Sequence, residues 1–406
     1  MFGNGLVVPF LIIYLHNVRG VPLGVAGLVA ATNALVALAS GPVAGALADR
    51  VGPRTTLTGS LVGMAAAYSL FPLIREPWHA FVLSGLAGAA SGAFWPSQGA
   101  LLTALAPRDR RHAAFAQQRV TMNLGIGLGA LVGGLLASAE DPNSFTRLFL
   151  LDALTFVVFA LILRRVPKPA FRDEDAEQSA DGGFGAVLRH RPFMAFIGLN
   201  TVVIAASIAP FSELFPVFAK SEAHVSEGGI GLIFFLNTLA VVVIQLPVAH
   251  LVEGHRRMRA LAAMGTLFAL TWTCVLAVGI WLEAAPATAF FAAAFVAFAV
   301  GECLHGTVQG PMVSDLAPPR LLGRYMALSA SSWQVAFVVG PGVGGFVLQA
   351  QPFALWPLAA VLCLGAAVAA LALERRLPPE VRRTPVRLPP LAGVEPAPAP
   401  GVVSEP

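Results

Sequence analysis

Glu302, His305 and Gln309 stand at i, i+3 and i+7 within a stretch, 287–315, that is otherwise almost wholly apolar. At helical spacing the three fall on one stripe. The chemistry open to such a stripe is proton exchange. A carboxyl among apolar residues is tolerated only beside a partner or a wet cavity, and a cavity that opens to alternate sides lets it load a proton on one side and release it on the other. A structural hydrogen bond between helices is the competing reading. Other polar groups lie in similar surroundings: Arg119 with Asn123 one turn on, Gln98, Gln334, Glu213, Asp152, and Trp95-Pro96, which suits a kinked helix with an aromatic wall. Arg119, with Glu302 and His305, is a candidate for proton coupling, although its long side chain could instead reach headgroups. Glu213 and Asp152 are placed near the ends of their stretches, within reach of interfacial water.

Other chemistries lack their residues. The eight histidines are scattered with no His-Glu-x-x-His, so no metal is expected, and no catalytic constellation stands out. Gly125-x-Gly127-x-Gly129 is not a nucleotide loop, because no strand precedes it and it lies inside an apolar run. With no P-loop either, no cofactor is expected, and energy for any work must come from an ion gradient or from the solute's own gradient. Cys274, Cys303 and Cys363 all fall in apolar runs, which suits packing rather than a disulfide framework.

The elements that must position these residues follow from composition. Charged residues make up 12% and hydrophobic ones 56% of 406, too little polar surface for a soluble protein of this length. Twelve apolar stretches are expected to cross a bilayer: 1–16, 22–48, 55–74, 79–105, 113–138, 147–164, 193–219, 228–252, 259–282, 287–315, 323–349 and 352–373. They are continuously apolar and rich in Leu and Ala, which specifies an all-α membrane protein and not a barrel of alternating strands. Of 26 basic residues only Arg19, Arg75, Arg147 and Lys220 fall on one side, so both termini and the central loop are expected in the cytoplasm. That asymmetry accounts for the net charge of +4, and no nucleic-acid partner is needed. The first stretch is short, as if roughly a dozen residues preceded Met1; it lacks the basic flank and cleavage site of a signal peptide.

The chain also repeats itself. A shift of 211 positions lays Gln98-Gly99 on Gln309-Gly310, Leu105-Ala106-Pro107 on Leu316-Ala317-Pro318, and Gly129, Gly133 and Gly134 on Gly340, Gly344 and Gly345. The same shift pairs Asn123 with Gln334. Two six-helix bundles, 1–164 and 193–373, are therefore expected to pack face to face around a central site. Gln98, Asn123, Gln309 and Gln334 would then surround it, contacting substrate or bonding helices together. Residues 165–192, with the acidic run Asp173-Glu174-Asp175 and Glu177, are expected to form a solvated linker, and the Pro-rich residues 374–406 a disordered tail.

Between the second and third stretches stands Gly45-Ala-Leu-Ala-Asp49-Arg50-Val-Gly52-Pro53-Arg54. It resembles the signature loop of the major facilitator superfamily, and with twelve stretches in two halves the resemblance covers about residues 1–373. The resemblance implies that the first, fourth, seventh and tenth helices line a central cavity. It also implies that Asp49 meets the N-terminus of the eleventh helix as a conformational latch, with Arg50 and Arg54 among headgroups. The corresponding turn of the second half, Leu246 to Glu253, keeps only an acidic residue. Gly125-x-x-x-Gly129-Ala130-x-x-Gly133-Gly134 looks like the glycine motif of the superfamily's antiporters, with Ala130 in place of its proline; the repeat copy Gly340-Pro341-x-x-Gly344-Gly345 keeps that proline. Small residues four apart let helices approach closely in lipid. The arginine such antiporters carry in the fourth helix is replaced by Gly85, and Arg119 could take part of its role.

The resemblance thus implies a secondary transporter in the cell membrane, working as a monomer by alternating access, with a small organic solute and protons as its partners. The drug-efflux branch is the nearest likeness. Uptake of a polar metabolite by symport or facilitated diffusion stays open, as does a non-transporting receptor, scaffold or intramembrane enzyme.

Overall fold

The computed structural model describes residues 1–107, 111–167, 184–318 and 321–385, without the side chains of Asp49 and residues 111–113. The acidic run of the linker, Arg108, Arg110, Arg320 and the tail from 386 lie outside the described residues. Each of the twelve apolar stretches forms helix. The first half holds α1 (Phe2–Ile13), α2 (Leu23–Val51), α3 (Pro53–Leu70), α4 (Pro77–Leu105), α5 (Arg111–Leu136) and α6 (Pro142–Leu163). After the short α7 (Phe184–Arg189), the second half holds α8 (Arg191–Ala206), α9 (Ile208–Glu213), α10 (Phe215–Ser221), α11 (Glu227–Val252), α12 (Arg257–Trp281), α13 (Ala284–Leu316), α14 (Leu322–Ala350) and α15 (Leu355–Glu374).

Ten spans among the described residues are long and apolar enough to cross a membrane. Two of the expected twelve fall outside that set. The first, Phe2–Val18, is short. The other, α4, is long, but Gly, Ser, His and Gln dilute its apolar character.

Helix ends are set by local chemistry. Gly52 takes φ 88°, a backbone that side chains disfavour, and Pro53 opens α3 at a position where its missing N–H costs nothing. Asp141 caps α6 by accepting from the Asn143 amide at 3.0 Å, and Ser226 caps α11 by accepting from Gly229 at 3.1 Å. The seventh stretch is broken into α8, α9 and α10. Pro210 has no N–H to offer the Ala206 carbonyl, and the thiol of buried Cys363 donates to that carbonyl instead, at 3.8 Å.

The halves meet in two pseudo-symmetric helix pairs, α2 with α14 and α5 with α11. Close approach there depends on missing side chains. A Cβ on Gly27 would strike the Pro341 carbonyl, and one on Gly134 would strike the Glu227 carbonyl. Helix α5 uses its glycines on two sides, since Gly129 and Gly133 press on the α1 backbone while Gly127 and Gly134 press on α11. The end of the molecule away from the basic loops is also tied by hydrogen bonds between halves: Gly24 N–H to Gln349 Oε1 at 2.7 Å, and Ala139 N–H to Glu227 Oε1 at 2.9 Å. Lys220 neutralises Glu227 at 3.1 Å. Toward the basic end, a Cβ at Gly41, Gly45, Gly99, Gly310 or Gly323 would meet nothing within 4 Å.

The second half has an aromatic core. Phe211 stacks between Phe234 and Phe295, with centroids 4.4 and 4.3 Å away, and Trp272 stacks on Trp356 at 5.1 Å.

Part of the expected solvated linker is helical, and part of the tail expected to be disordered is ordered. Linker residues Phe184–Arg189 are helical with Val187 fully buried, and His190 Nδ1 lies 2.8 Å from the Tyr325 hydroxyl. The tail is ordered past Glu374, through Thr384. Arg257 N–H donates to the Arg382 carbonyl at 2.9 Å and Thr384 N–H to the His255 carbonyl at 3.0 Å. Unpaired backbone groups of the α11–α12 turn supply these partners, a signal that apolar periodicity does not carry.

Candidate coupling and substrate site

Helix α13 places Glu302 half-buried toward α11 and α5. The Nδ2 of buried Asn237, on α11, donates to Glu302 Oε2 at 2.9 Å and to the Phe295 carbonyl at 3.1 Å. Arg119, on α5 of the other half, lies with its guanidinium against Gly306, one turn beyond Glu302, near enough for the two charges to interact. Within the same region Gln245 donates to Thr307 Oγ1 at 3.2 Å. Asn237 and Gln245 were not singled out from sequence, yet both are amides in an apolar helix and could have been.

His305 belongs to a different network. Its Nε2 is 2.7 Å from Asn200 Oδ1, Asn200 Nδ2 donates to Ser332 Oγ at 2.9 Å, and Ser332 Oγ donates to the Ser329 carbonyl at 2.6 Å. Because Asn200 spends its amide hydrogens on Ser332, it offers His305 an acceptor, so Nε2 carries the ring proton. Buried here, with Trp333 at its edge 5.8 Å away, His305 ties α13 to α8. The sequence grouped it with Glu302; the structure gives them separate partners.

Gln98 and Gln309 also tie helices. Gln118 Nε2 donates to Gln98 Oε1, and Gln309 Nε2 donates to Ser329 Oγ, both at 2.7 Å. The shift of 211 carries Gln118 onto Ser329, so the two bonds are repeat equivalents joining α4 to α5 and α13 to α14. Asn123 and Gln334 are half-buried and make no side-chain hydrogen bond among the described residues.

The remaining candidates are more dispersed. Trp95 lines a cavity of about 450 Å³ with Phe94, Met64 and Phe159, all within the first half. Glu213 closes α9 and is half-buried, one carboxylate oxygen buried without a partner. Asp152 is not at a wetted end: α6 starts at Pro142, five residues earlier than expected, which puts Asp152 mid-helix and 0% exposed against the first turn of α1. Neither of its oxygens has a hydrogen-bond partner.

In the signature turn, Arg50 is exposed. Arg54 donates to the Leu163 carbonyl at 3.0 Å and the Arg164 carbonyl at 2.6 Å, which closes the end of α6 within the first half. It therefore does not simply sit among headgroups. Gly45 is in open space, so of the two glycines only Gly52 is required by backbone shape. The Asp49 side chain lies outside the described residues. No cluster of three or more His, Cys, Asp or Glu among the described residues could hold a metal.

Long apolar helices that cross closely through glycines suit a membrane transporter. The sequence profile of the Major Facilitator Superfamily matches residues 1–222 and 200–400. The chain belongs to the Major Facilitator Superfamily. As a member of this family it is a multi-pass membrane transporter and not an enzyme. It is 24% identical to a Na(+), Li(+), K(+)/H(+) antiporter of Planococcus maritimus over 372 residues, covering 83% of this chain and 84% of that one. It is 23% identical to multidrug resistance protein MdtH of Aeromonas hydrophila over 361 residues, covering 88% of each. A crystal structure of a POT family transporter in complex with 5-aminolevulinic acid superposes with a TM-score of 0.74 at 15% identity, covering 92% of this chain and 93% of that one. That superposition speaks for the superfamily fold alone.

Proposed function

We propose that this superfamily member exchanges protons for an amphipathic organic solute across the cell membrane, with both termini cytoplasmic. The observation that carries the proposal is the placement of Glu302. Asn237 holds its carboxylate in place, and the Arg119 guanidinium of the other half lies against Gly306, one turn along the same helix. Solute and proton would compete for this region. Protonation of Glu302 from outside frees Arg119 and displaces the solute; deprotonation toward the cytoplasm resets the pair. Asn123 and Gln334, with free amides, are the substrate-facing polar groups, and Glu213 is a further candidate. The contacts described between halves, tight away from the basic loops, support a state open toward the cytoplasm, with Asp49, Arg50 and Arg54 serving the opposite closure.

The test is flux in proteoliposomes with and without an imposed pH gradient, over a panel of organic cations and neutral drugs. Solute extrusion that depends on the gradient and vanishes in Glu302→Gln supports the reading. Gradient-driven flux undiminished in that variant overturns it. A second reading, exchange of a monovalent metal cation for protons, is favoured by the antiporter relative. It predicts that Na(+) or K(+) alone dissipates the imposed gradient.

A further inference from the structure

At the basic end of the second half, the α11–α12 turn and the docked tail line an open cavity of about 410 Å³. Its lining carries the basic residues Arg256, Arg259 and Arg383, with His255. The apolar part of the lining is Leu251, Val252, Ala260 and Leu304. The charges are not balanced internally. Arg256 is paired with Glu374 at 2.9 Å, and the nearby Glu253 lies 3.5 Å from His250. Arg383 reaches only the Gly254 carbonyl, at 3.4 Å, and Arg259 has no side-chain partner among the described residues. Two guanidinium groups therefore stay without a carboxylate partner beside apolar lining residues.

We infer that this cavity binds the headgroup of an anionic phospholipid. The site lies where α11 ends and α12 begins, at the depth of headgroups for helices that span the membrane. A guanidinium pair matches a phosphodiester by charge and geometry. The lipid's chains continue along α11, where Leu251 and Leu246 are each 70% exposed. A free phosphate would pair with the arginines and leave the apolar lining and the exposed leucines uncovered, so the lipid is the occupant that matches both kinds of surface. The tail supplies Arg383 through a single antiparallel bridge with Arg256, which makes the site dependent on tail docking. Bound lipid would cross-link α11, α12 and the tail.

The test uses the purified full chain in a zwitterionic detergent, titrated with phosphatidylglycerol, phosphatidylcholine or inorganic phosphate, with bound lipid counted by native mass spectrometry. Phosphatidylglycerol should bind in preference to phosphatidylcholine, and millimolar-range phosphate should compete weakly. Arg259→Gln with Arg383→Gln should weaken phosphatidylglycerol binding about fivefold per arginine removed, roughly 25-fold together. A control, Arg165→Gln with Arg376→Gln, removes the same charge from the same end and should bind within about twofold of the native chain. Equal retention of both lipids, displacement by phosphate as effective as by lipid, or equal loss in the control and the test variant would each overturn the inference.

Discussion

The guanidinium of Arg119 lies against Gly306, one turn beyond Glu302 on the same helix. A side chain at 306 would occupy its place. Gly306→Ala should therefore push the flexible end of Arg119 away with little loss of stability, while changing how the charge of Glu302 is felt. The expected outcome is a displaced pH profile of transport at near-normal thermal stability. A normal profile in Gly306→Ala would show that the approach is incidental.

Asn237 spends both of its donors on Glu302 and the Phe295 carbonyl. Asn237→Ala removes them from a buried position and should cost about 1–3 kcal/mol of stability. It should also impair proton-driven flux. Glu302→Gln should leave stability near native while abolishing the pH-driven component, and solute exchange in the absence of a gradient should persist. Comparing thermal melting with gradient-driven flux in the two variants separates the structural part from the coupling part.

Gly27 and Gly134 occupy equivalent crossings between the halves. Leucine at either position cannot fit the packed arrangement, because the obstacle is backbone and cannot move aside. Gly27→Leu and Gly134→Leu should each shift the population toward the state open at that end. Distance measurements between spin labels on the two halves would report a longer separation there; an unchanged distribution would contradict the crossing seen here.

Arg257 is 1% exposed and its Nη2 lies 2.6 Å from Asp315, with two other guanidinium nitrogens buried and unpartnered. Asp315→Asn leaves that buried cation without its counter-charge; because the Asp315 side chain is 43% exposed, the cost should fall below the roughly 3–5 kcal/mol of a fully buried pair. Arg257→Met removes the cation and should be milder. If the two variants melt alike, the pair does not carry the stability assigned to it.

Much was legible before any contact was known. The membrane-spanning, all-helical character and the family follow from composition and one loop motif, because each helix in lipid satisfies its own backbone and announces itself locally. The Glu302 stripe was legible for the same reason. Its partners were not. Glu302 and His305 are three residues apart, about 60° around a helix, yet one bonds to a residue 65 positions away and the other to one 105 positions away. Asp152 was misplaced because apolar runs blur their own ends, and the two-sided use of the α5 glycines depends on which helices flank it. The amino-acid order by itself determined which surfaces are apolar and where polar groups interrupt them. Only the tertiary structure decided which interruptions face one another, because that depends on the rotation and crossing of helices whose lipid-like surfaces do not encode a unique neighbour.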